Sequence, residues 1–161
     1  MIAGGNCIVL KQSELASATA NVVEKIISEI FSAEYIKVYQ GEGNEVVPAL
    51  INSFRFDHIF YTGSIAVGKI IYQLAAKDLI PVTLELGGKS PAVVEDDADI
   101  KTSAQRIVFG KFANAGQTCI APDYLLVHTD IIEKFIIELK KAIKNFHGED
   151  AKKSYDYGKI I

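Results

Sequence analysis

The stretch His58-Ile-Phe-Tyr-Thr-Gly-Ser-Ile-Ala-Val-Gly68 joins two apolar segments through a short Gly-Ser turn. The run His58–Tyr61 is typical of a buried strand, and the apolar spacing from Ile65 to Ala76 predicts a helix. A strand, a tight turn and a helix in this order begin a βαβ unit. Gly63 permits the turn, and the free amide groups at the start of a helix can hold a phosphate.

This turn follows neither of the two common glycine-rich nucleotide signatures. It lacks the G-x-G-x-x-G spacing of dinucleotide-binding folds. Lys69 follows Gly68 as in a P-loop, but Ile70 stands where a Ser or Thr would bind a metal ion. The second glycine pair, Gly41-Glu-Gly43, does not directly join a strand to a helix, and it is better explained as an ordinary turn.

Strand-like and helix-like segments alternate along the rest of the chain, which predicts an α/β fold with a mostly parallel sheet and helices on its faces. The Gly87-Gly88 pair and Pro91 mark a candidate domain boundary. The predicted strands are Cys7–Leu10, Tyr35–Tyr39, Val82–Glu85, Ala92–Val94 and Tyr124–Val127; the predicted helices run from an N-cap at Ser13 to Ile30, from Val47 to Ile51, from Ile100 to Phe112 and from Ile131 to Ile143.

Composition excludes several classes of protein. The chain has 161 residues, 49% of them apolar and 23% charged, which is ordinary for a globular domain and argues against disorder. A net charge of −3 gives no basic excess for nucleic acid. No apolar run is long enough for a membrane span, and the first seven residues lack the basic region that is typical of a signal peptide. Two cysteines are too few for a disulfide scaffold, so we expect a cytoplasmic protein. Three scattered histidines predict no metal site.

Two residues have the chemistry of a catalytic pair. Cys119 lies in a polar, glycine-containing loop, Asn114-Ala-Gly-Gln-Thr-Cys119, where it is either a nucleophile or a buried structural thiol. Glu85 ends an apolar strand, and ligands of α/β sheets gather at the carboxyl ends of strands. Burial there would raise its pKa and suit a general base, whereas the alternative is an exposed carboxylate at a strand end.

Lys11-Gln-Ser-Glu14 follows the first predicted strand at its carboxyl end. A Lys and a Glu at this place can hold a polar ligand. The alternative is simply the capped start of the next helix.

Taken together, four segments resemble the aldehyde dehydrogenase family. Leu84-Glu-Leu-Gly-Gly-Lys-Ser-Pro91 is similar to the family's Glu signature, and Gly116-Gln-Thr-Cys119 is similar to its Cys signature. Phe60–Gly68 resembles its phosphate-binding turn, and Ala3–Lys11 with Ser13-Glu14 resembles its cofactor segment. The class 3 branch of the family is resembled by Gly148–Ser154 with Tyr157-Gly158, and by Ala121–Tyr124.

The resemblance implies a Rossmann-like fold and a role for each matched residue. Cys119 attacks an aldehyde, Glu85 activates the water that releases a carboxylic acid, and the Cys119 backbone N–H stabilises an oxyanion. The implied cofactor is NAD, and NADP is the alternative. NAD is favoured because a Glu14 carboxylate at the adenosine ribose would repel the 2′-phosphate of NADP. The implied cofactor residues are Lys11 and Glu14 at the ribose, Gly63, Ser64 and Gly68 along the pyrophosphate, and Leu86 and Gly87 beside the nicotinamide.

The resemblance also implies that the chain is a central fragment with an incomplete fold. Residues 1–86 would be part of the NAD-binding domain and residues 87–161 part of the catalytic domain, with the site between them and the parent protein a homo-oligomer. Gln12 departs from the family's usual Pro. The alternatives are a truncated, non-catalytic nucleotide-binding or interaction module, and a dehydrogenase that passes its acyl group to phosphate or coenzyme A. The intact Glu85 argues against the latter, and a thiol-redox protein is the most remote possibility.

Overall fold

A computed structural model describes residues 1–160 and alternates helices with strands as the sequence predicts. Short 3₁₀ turns occupy Ile2–Gly4, Glu14–Ala16 and Ala113–Gly116. None of the helices in residues 1–160 combines the length and the apolar character needed to cross a membrane. The strands are β1 (Ile8–Lys11), β2 (Ile36–Tyr39), β3 (Ile59–Gly63), β4 (Val82–Leu86), β5 (Ser90–Val94) and β6 (Pro122–Val127); the helices are α1 (Ser17–Ile30), α2 (Gly43–Ser53), α3 (Ile65–Ala76), α4 (Ile100–Phe112) and α5 (Ile132–His147).

The strands pair two by two. β1 lies parallel to β2 with Ile8 opposite Ile36, and β5 lies parallel to β6 with Ala92 opposite Leu125. β3 pairs with β4. Helices α1 and α4 provide the crossovers that two parallel neighbours require. The predicted α/β class is confirmed, but within residues 1–160 the strands form three separate pairs rather than one continuous sheet.

The chain divides into two compact units. The first contains residues 1–62 and 66–84, and the second contains residues 63–65 and 85–160. The break after residue 84 falls close to the predicted boundary at 86/87. The assignment of the two parts to a cofactor domain and a catalytic domain remains a prediction.

Each unit has its own buried apolar residues. In the second unit, Val94 of β5, Ala104 of α4, and Ile131 and Phe135 around the start of α5 form one cluster, so both helices pack against the β5–β6 pair. The Asp99 carboxylate accepts a 2.6 Å hydrogen bond from the Thr102 amide and caps α4. In the first unit the buried apolar residues are Ala20, Ile36, Val38, Ile51, Ile71, Ala75 and Ile80.

Helix α1 differs from the prediction in two ways. Ser13 makes no side-chain capping bond, because the chain first enters the Glu14–Ala16 turn and α1 begins only at Ser17. The apolar residues that are spaced three and four apart along the helix predict its buried face, but they are exposed and Ala20 is buried. The exposed stripe consists of Leu15, Ala18, Val22, Ile26 and Ile30.

Candidate active site

Cys119 lies in a loop that begins where α4 ends at Phe112 and that leads into β6. The thiol is exposed, which excludes the buried structural cysteine that the sequence left open. Asn114 and Ala115 have φ values of 53° and 55°, in the left-handed region that non-glycine residues rarely adopt, and Gly116 follows at 79°. Three consecutive left-handed residues reverse the chain and carry Cys119 back towards the start of β6.

Reciprocal hydrogen bonds hold this reversal together. The Asn114 side-chain amide donates to the Gln117 carbonyl at 3.1 Å, and the Gln117 side-chain amide donates to the Asn114 carbonyl at 3.0 Å. The Gln117 backbone N–H also reaches the Asn114 carbonyl at 3.1 Å. On the far side, the Ala121 N–H donates to the Thr118 carbonyl at 3.1 Å. Cys119 therefore lies within the second of two consecutive hydrogen-bonded turns, residues 114–117 and 118–121.

The parallel pairing of β5 with β6 brings the two signature segments to the same end of one sheet. Ser90, the first residue of β5, is opposite Pro122, the first residue of β6. The Glu85–Gly88 segment ends two residues before β5 begins, and Cys119 lies three residues before β6 begins. A 3.2 Å ion pair between Lys89 and Asp123 connects the start of β5 with the start of β6. Both predicted catalytic residues thus belong to the second unit and lie next to paired strand starts.

Gly88 lies close to the backbone of the Cys119 loop. A β-carbon built at Gly88 would lie 2.7 Å from the carbonyl oxygen of Cys119, closer than real β-carbons come to an oxygen. At the neighbouring Gly87 a β-carbon would meet nothing within 4 Å. Only a glycine at position 88 lets the Glu segment and the Cys loop touch backbone to backbone.

The Glu85 side chain is exposed at the end of β4. Of the two alternatives for this residue, the structure therefore has the exposed carboxylate and not the buried one. Leu86 is half-buried and Gly87 is exposed beside it.

Lys11 and Glu14 form an ion pair at the carboxyl end of β1. The Glu14 carboxylate also accepts a 3.3 Å hydrogen bond from the backbone N–H of Gly43, at the start of α2. The Lys11 hydrogen bond is the largest of the effects that lower the pKa of Glu14 to about 2, and backbone amides add to it. Glu14 is therefore an anion throughout the neutral range, with a cation beside it.

The predicted phosphate-binding turn joins β3 to α3. Gly63 ends β3, and Ser64 is the one residue before α3 begins at Ile65. Gly68 is buried within α3. The 63–65 turn is grouped with the second unit, whereas Lys11, Glu14 and Gly68 belong to the first unit. Residues 1–160 contain no group of three or more His, Cys, Asp or Glu side chains that could bind a metal ion.

The whole sequence matches one known protein family. The family model described as the aldehyde dehydrogenase family matches residues 1–161. The chain belongs to the aldehyde dehydrogenase family. The match covers all four segments that the sequence analysis singled out.

Individual aldehyde dehydrogenases are similar to the whole chain. The dimeric NADP-preferring aldehyde dehydrogenase of Canis lupus familiaris is 51% identical over 99% of this chain and 35% of the relative. Aldehyde dehydrogenase family 3 member A2 of Macaca fascicularis is 46% identical over 99% of the chain and 33% of the relative. The solved substrate-bound state of Staphylococcus aureus AldH superposes with a TM-score of 0.90 at 49% identity, covering 99% of this chain and 34% of that one.

These relatives confirm the class 3 resemblance and the aldehyde dehydrogenase fold. The chain spans about a third of the length of the relatives that it matches. Aldehyde dehydrogenases of this kind use NAD or NADP, and the canine relative is named for its preference for NADP.

Sequence reasoning missed three residues that shape the candidate site. The contact of Gly88 with Cys119 has no local signal beyond the Gly-Gly pair. The Gln117 side chain lies inside the Cys signature, but its hydrogen bonds depend on the left-handed turn and were not predictable from residue type. Gly43 appeared to belong to an ordinary turn, whereas its N–H binds Glu14.

Proposed function

We propose that this chain carries the catalytic cysteine and the hydrolytic glutamate of an enzyme that oxidises an aldehyde to a carboxylic acid with NAD or NADP. The observation that carries the proposal is the backbone contact of Gly88 with Cys119. Through it, the Glu85 segment and the Cys119 loop lie together at the start of the β5–β6 pair. An exposed thiol beside an exposed carboxylate segment is the arrangement that attack followed by hydrolysis requires.

Cys119 performs the first step. Its thiolate forms a bond to the aldehyde carbon, and the π electrons of the carbonyl move to the oxygen. The backbone N–H of Cys119 stabilises that oxyanion by donating a hydrogen bond. The chemistry that a bound NAD or NADP would supply here is an acceptor for the hydride of this carbon. The acyl group then remains on Cys119 as a thioester.

Glu85 performs the second step. Its carboxylate takes a proton from a water molecule as the water oxygen attacks the thioester carbon. The C–S bond breaks, the carboxylic acid leaves, and Cys119 regains its thiolate. An exposed strand-end carboxylate suits this role, since it must meet a water molecule and return the proton to solvent.

The residues that would hold the cofactor fit its chemistry. The Glu14 anion can accept hydrogen bonds from ribose hydroxyls, and Lys11 beside it can donate one. Backbone amides of the turn at Gly63 and Ser64, at the start of α3, suit a pyrophosphate. Leu86 and Gly87 offer an apolar, uncrowded surface for the nicotinamide. The ionised Glu14 favours NAD over NADP, because it would repel a 2′-phosphate.

The aldehyde itself is a small molecule whose identity these residues leave open. We extend two further properties to the complete enzyme. The canine relative is named as dimeric, which supports a homo-oligomer. Cys7 and Cys119 are both free thiols, which suits the reducing cytoplasm.

The second candidate is a non-catalytic nucleotide-binding or interaction module. The exposed apolar stripe of α1 favours it, because an unpaired apolar face can dock a partner. This candidate makes no use of Cys119 or Glu85, so it predicts that neither residue affects any turnover of NAD.

The experiment that separates the two steps is the Glu85→Gln variant of the full open reading frame, mixed with NAD and a medium-chain aldehyde. We expect one equivalent of NADH and an acyl adduct on Cys119, detected by mass spectrometry, because hydrolysis is blocked after hydride removal. Steady turnover at the wild-type rate, with no adduct, would assign water activation to another residue.

A further inference from the structure

The segment Tyr157–Lys159 lies directly against the loop that carries Cys119. The Gln117 side-chain amide, which bonds the Asn114 carbonyl, also donates to the Lys159 carbonyl at 3.3 Å. One side chain thus bridges the reversed turn and a segment forty-two residues further along the chain.

Backbone packing accompanies this hydrogen bond. A β-carbon built at Gly158 would lie 3.6 Å from the Ala115 nitrogen and 3.7 Å from the Asn114 α-carbon. The 157–159 segment therefore covers Asn114 and Ala115, two non-glycine residues that have left-handed backbone angles. Such strained conformations persist only where surrounding contacts hold them.

Tyr157 fixes this segment to the helices on either side. Its ring packs edge-on against His147, the last residue of α5, with centroids 5.0 Å apart. It also packs against Phe112, the last residue of α4, at 6.2 Å. The Cys119 loop begins at Phe112, so the same aromatic group anchors the loop and the segment that covers it.

We propose that the 157–159 segment positions the Cys119 loop, with Gln117 and Tyr157 as positioning residues for the nucleophile. The inference rests on the proposed role of Cys119. Neither residue need touch the aldehyde. The Gln117 amide maintains the reversed turn, and Tyr157 keeps the segment in place so that the Lys159 carbonyl can accept from Gln117. Loss of either contact would let the loop relax out of its left-handed turn and would misplace the thiolate.

The test uses two exchanges in the full open reading frame. Gln117→Glu keeps the shape of the side chain but cannot donate to the Lys159 and Asn114 carbonyls. Tyr157→Ala removes the ring, while Tyr157→Phe keeps it and serves as the conservative control. Gln117→Glu alters one solvent-exposed side chain, so it tests the proposal even if Tyr157→Ala fails to fold.

Two readouts are needed. We expect amide hydrogen exchange of residues 114–121 to accelerate at least tenfold in Gln117→Glu and Tyr157→Ala, because the turn opens more readily. We expect kcat to fall by roughly tenfold or more with little change in the KM values for aldehyde and NAD, since misplacement affects reaction rather than binding. Tyr157→Phe should match the wild type in both.

The outcomes distinguish the two proposals. If exchange accelerates but the wild type forms no Cys119-dependent NADH, the loop is held as inferred and the proposed function is wrong. Unchanged exchange in the loop of Gln117→Glu would overturn the positioning role. Equal losses in kcat for Tyr157→Phe and Tyr157→Ala would also overturn it, because the ring contacts would then not be what matters.

Discussion

The α-carbon of Gly88 faces the carbonyl oxygen of Cys119 so closely that a β-carbon on Gly88 would lie 2.7 Å from that oxygen. This contact joins the backbone that follows Glu85 to the backbone of Cys119. Both partners are main-chain atoms, so neither can rotate away as a side-chain tip would. Any residue other than glycine at position 88 must push the two segments apart.

The Gly88→Ala variant is therefore expected to be destabilised and impaired. Overpacking of this kind costs about 1–3 kcal/mol, and the displaced Cys119 loop should also lower kcat. Urea unfolding measures the first effect, and NADH formation the second. Gly87→Ala is the matched stability control, because its β-carbon would enter open space. Equal stability of the two variants would show that the contact is absent.

Because of Glu14, we expect the free energy of unfolding to decrease at acidic pH. Its pKa is lowered from 4.5 to about 2 by the Lys11 hydrogen bond and by backbone amides. In the unfolded chain the carboxylate binds its proton more readily, so its contribution to the free energy of unfolding is complete above pH 4.5. That contribution decreases as the pH falls towards 2.

The pH dependence of urea unfolding in Glu14→Gln tests this expectation. The variant should be less stable than the wild type at neutral pH and should lose less stability between pH 4.5 and pH 2. Glu29→Gln is the control, since Glu29 is exposed and lies 3.9 Å from Lys25 in a surface pair. If the free energy of unfolding changes with pH in the same way in the wild type and in Glu14→Gln, the ion pair of Lys11 with Glu14 is contradicted.

The same glutamate should also set the cofactor preference of the full enzyme. Neutralising the anion removes its repulsion of a 2′-phosphate, so Glu14→Gln should raise the kcat/KM for NADP relative to that for NAD. The ratio is measured with both cofactors at one aldehyde concentration. An unchanged ratio would remove Glu14 from the proposed ribose site.

We expect His147 to lower the stability of the second unit. Its ring is buried against Phe112 and Tyr157, yet neither ring nitrogen has a hydrogen-bond partner among residues 1–160. His147→Phe keeps an aromatic ring in the cluster and removes two polar atoms. We expect it to raise the free energy of unfolding by about 1–2 kcal/mol.

Urea unfolding of His147→Phe gives this value directly. The matched control is His128→Phe, because the His128 ring is partly exposed and accepts a 3.3 Å hydrogen bond from the Asp130 N–H. A loss of stability in His147→Phe would show that the imidazole nitrogens are satisfied in solution.

Much of the fold could be predicted because its elements are encoded locally. The apolar spacing of residues 65–76 and 100–112 gave both bounds of α3 and α4, and the short apolar runs located the strands to within a few residues. The pairing of whole strands depends on contacts distant in sequence, which explains why the expected continuous sheet differs from the observed pairs. The predicted buried face of α1 was wrong for a different reason, because the helix carries apolar residues on more than one face.

The candidate site was predictable in its residue types but not in its geometry. Cys119 and Glu85 could be named because a thiol in a polar loop and a carboxylate at a strand end are unusual. The left-handed conformation of Ala115 carries no residue-level signal, because alanine rarely adopts it. The bridges from Gln117 to Lys159 and from Gly88 to Cys119 follow from that geometry, so only the structure reveals them.

The measurement that tests the central claim most directly is NADH formation by the full open reading frame, with NAD and a medium-chain aldehyde, in Cys119→Ala and Cys7→Ala. Both thiols are exposed, so the two exchanges are matched in chemistry and accessibility. We predict that Cys119→Ala abolishes turnover and that Cys7→Ala retains it. Turnover that survives in Cys119→Ala, or that is absent from the wild type, would contradict the catalytic role proposed for this chain.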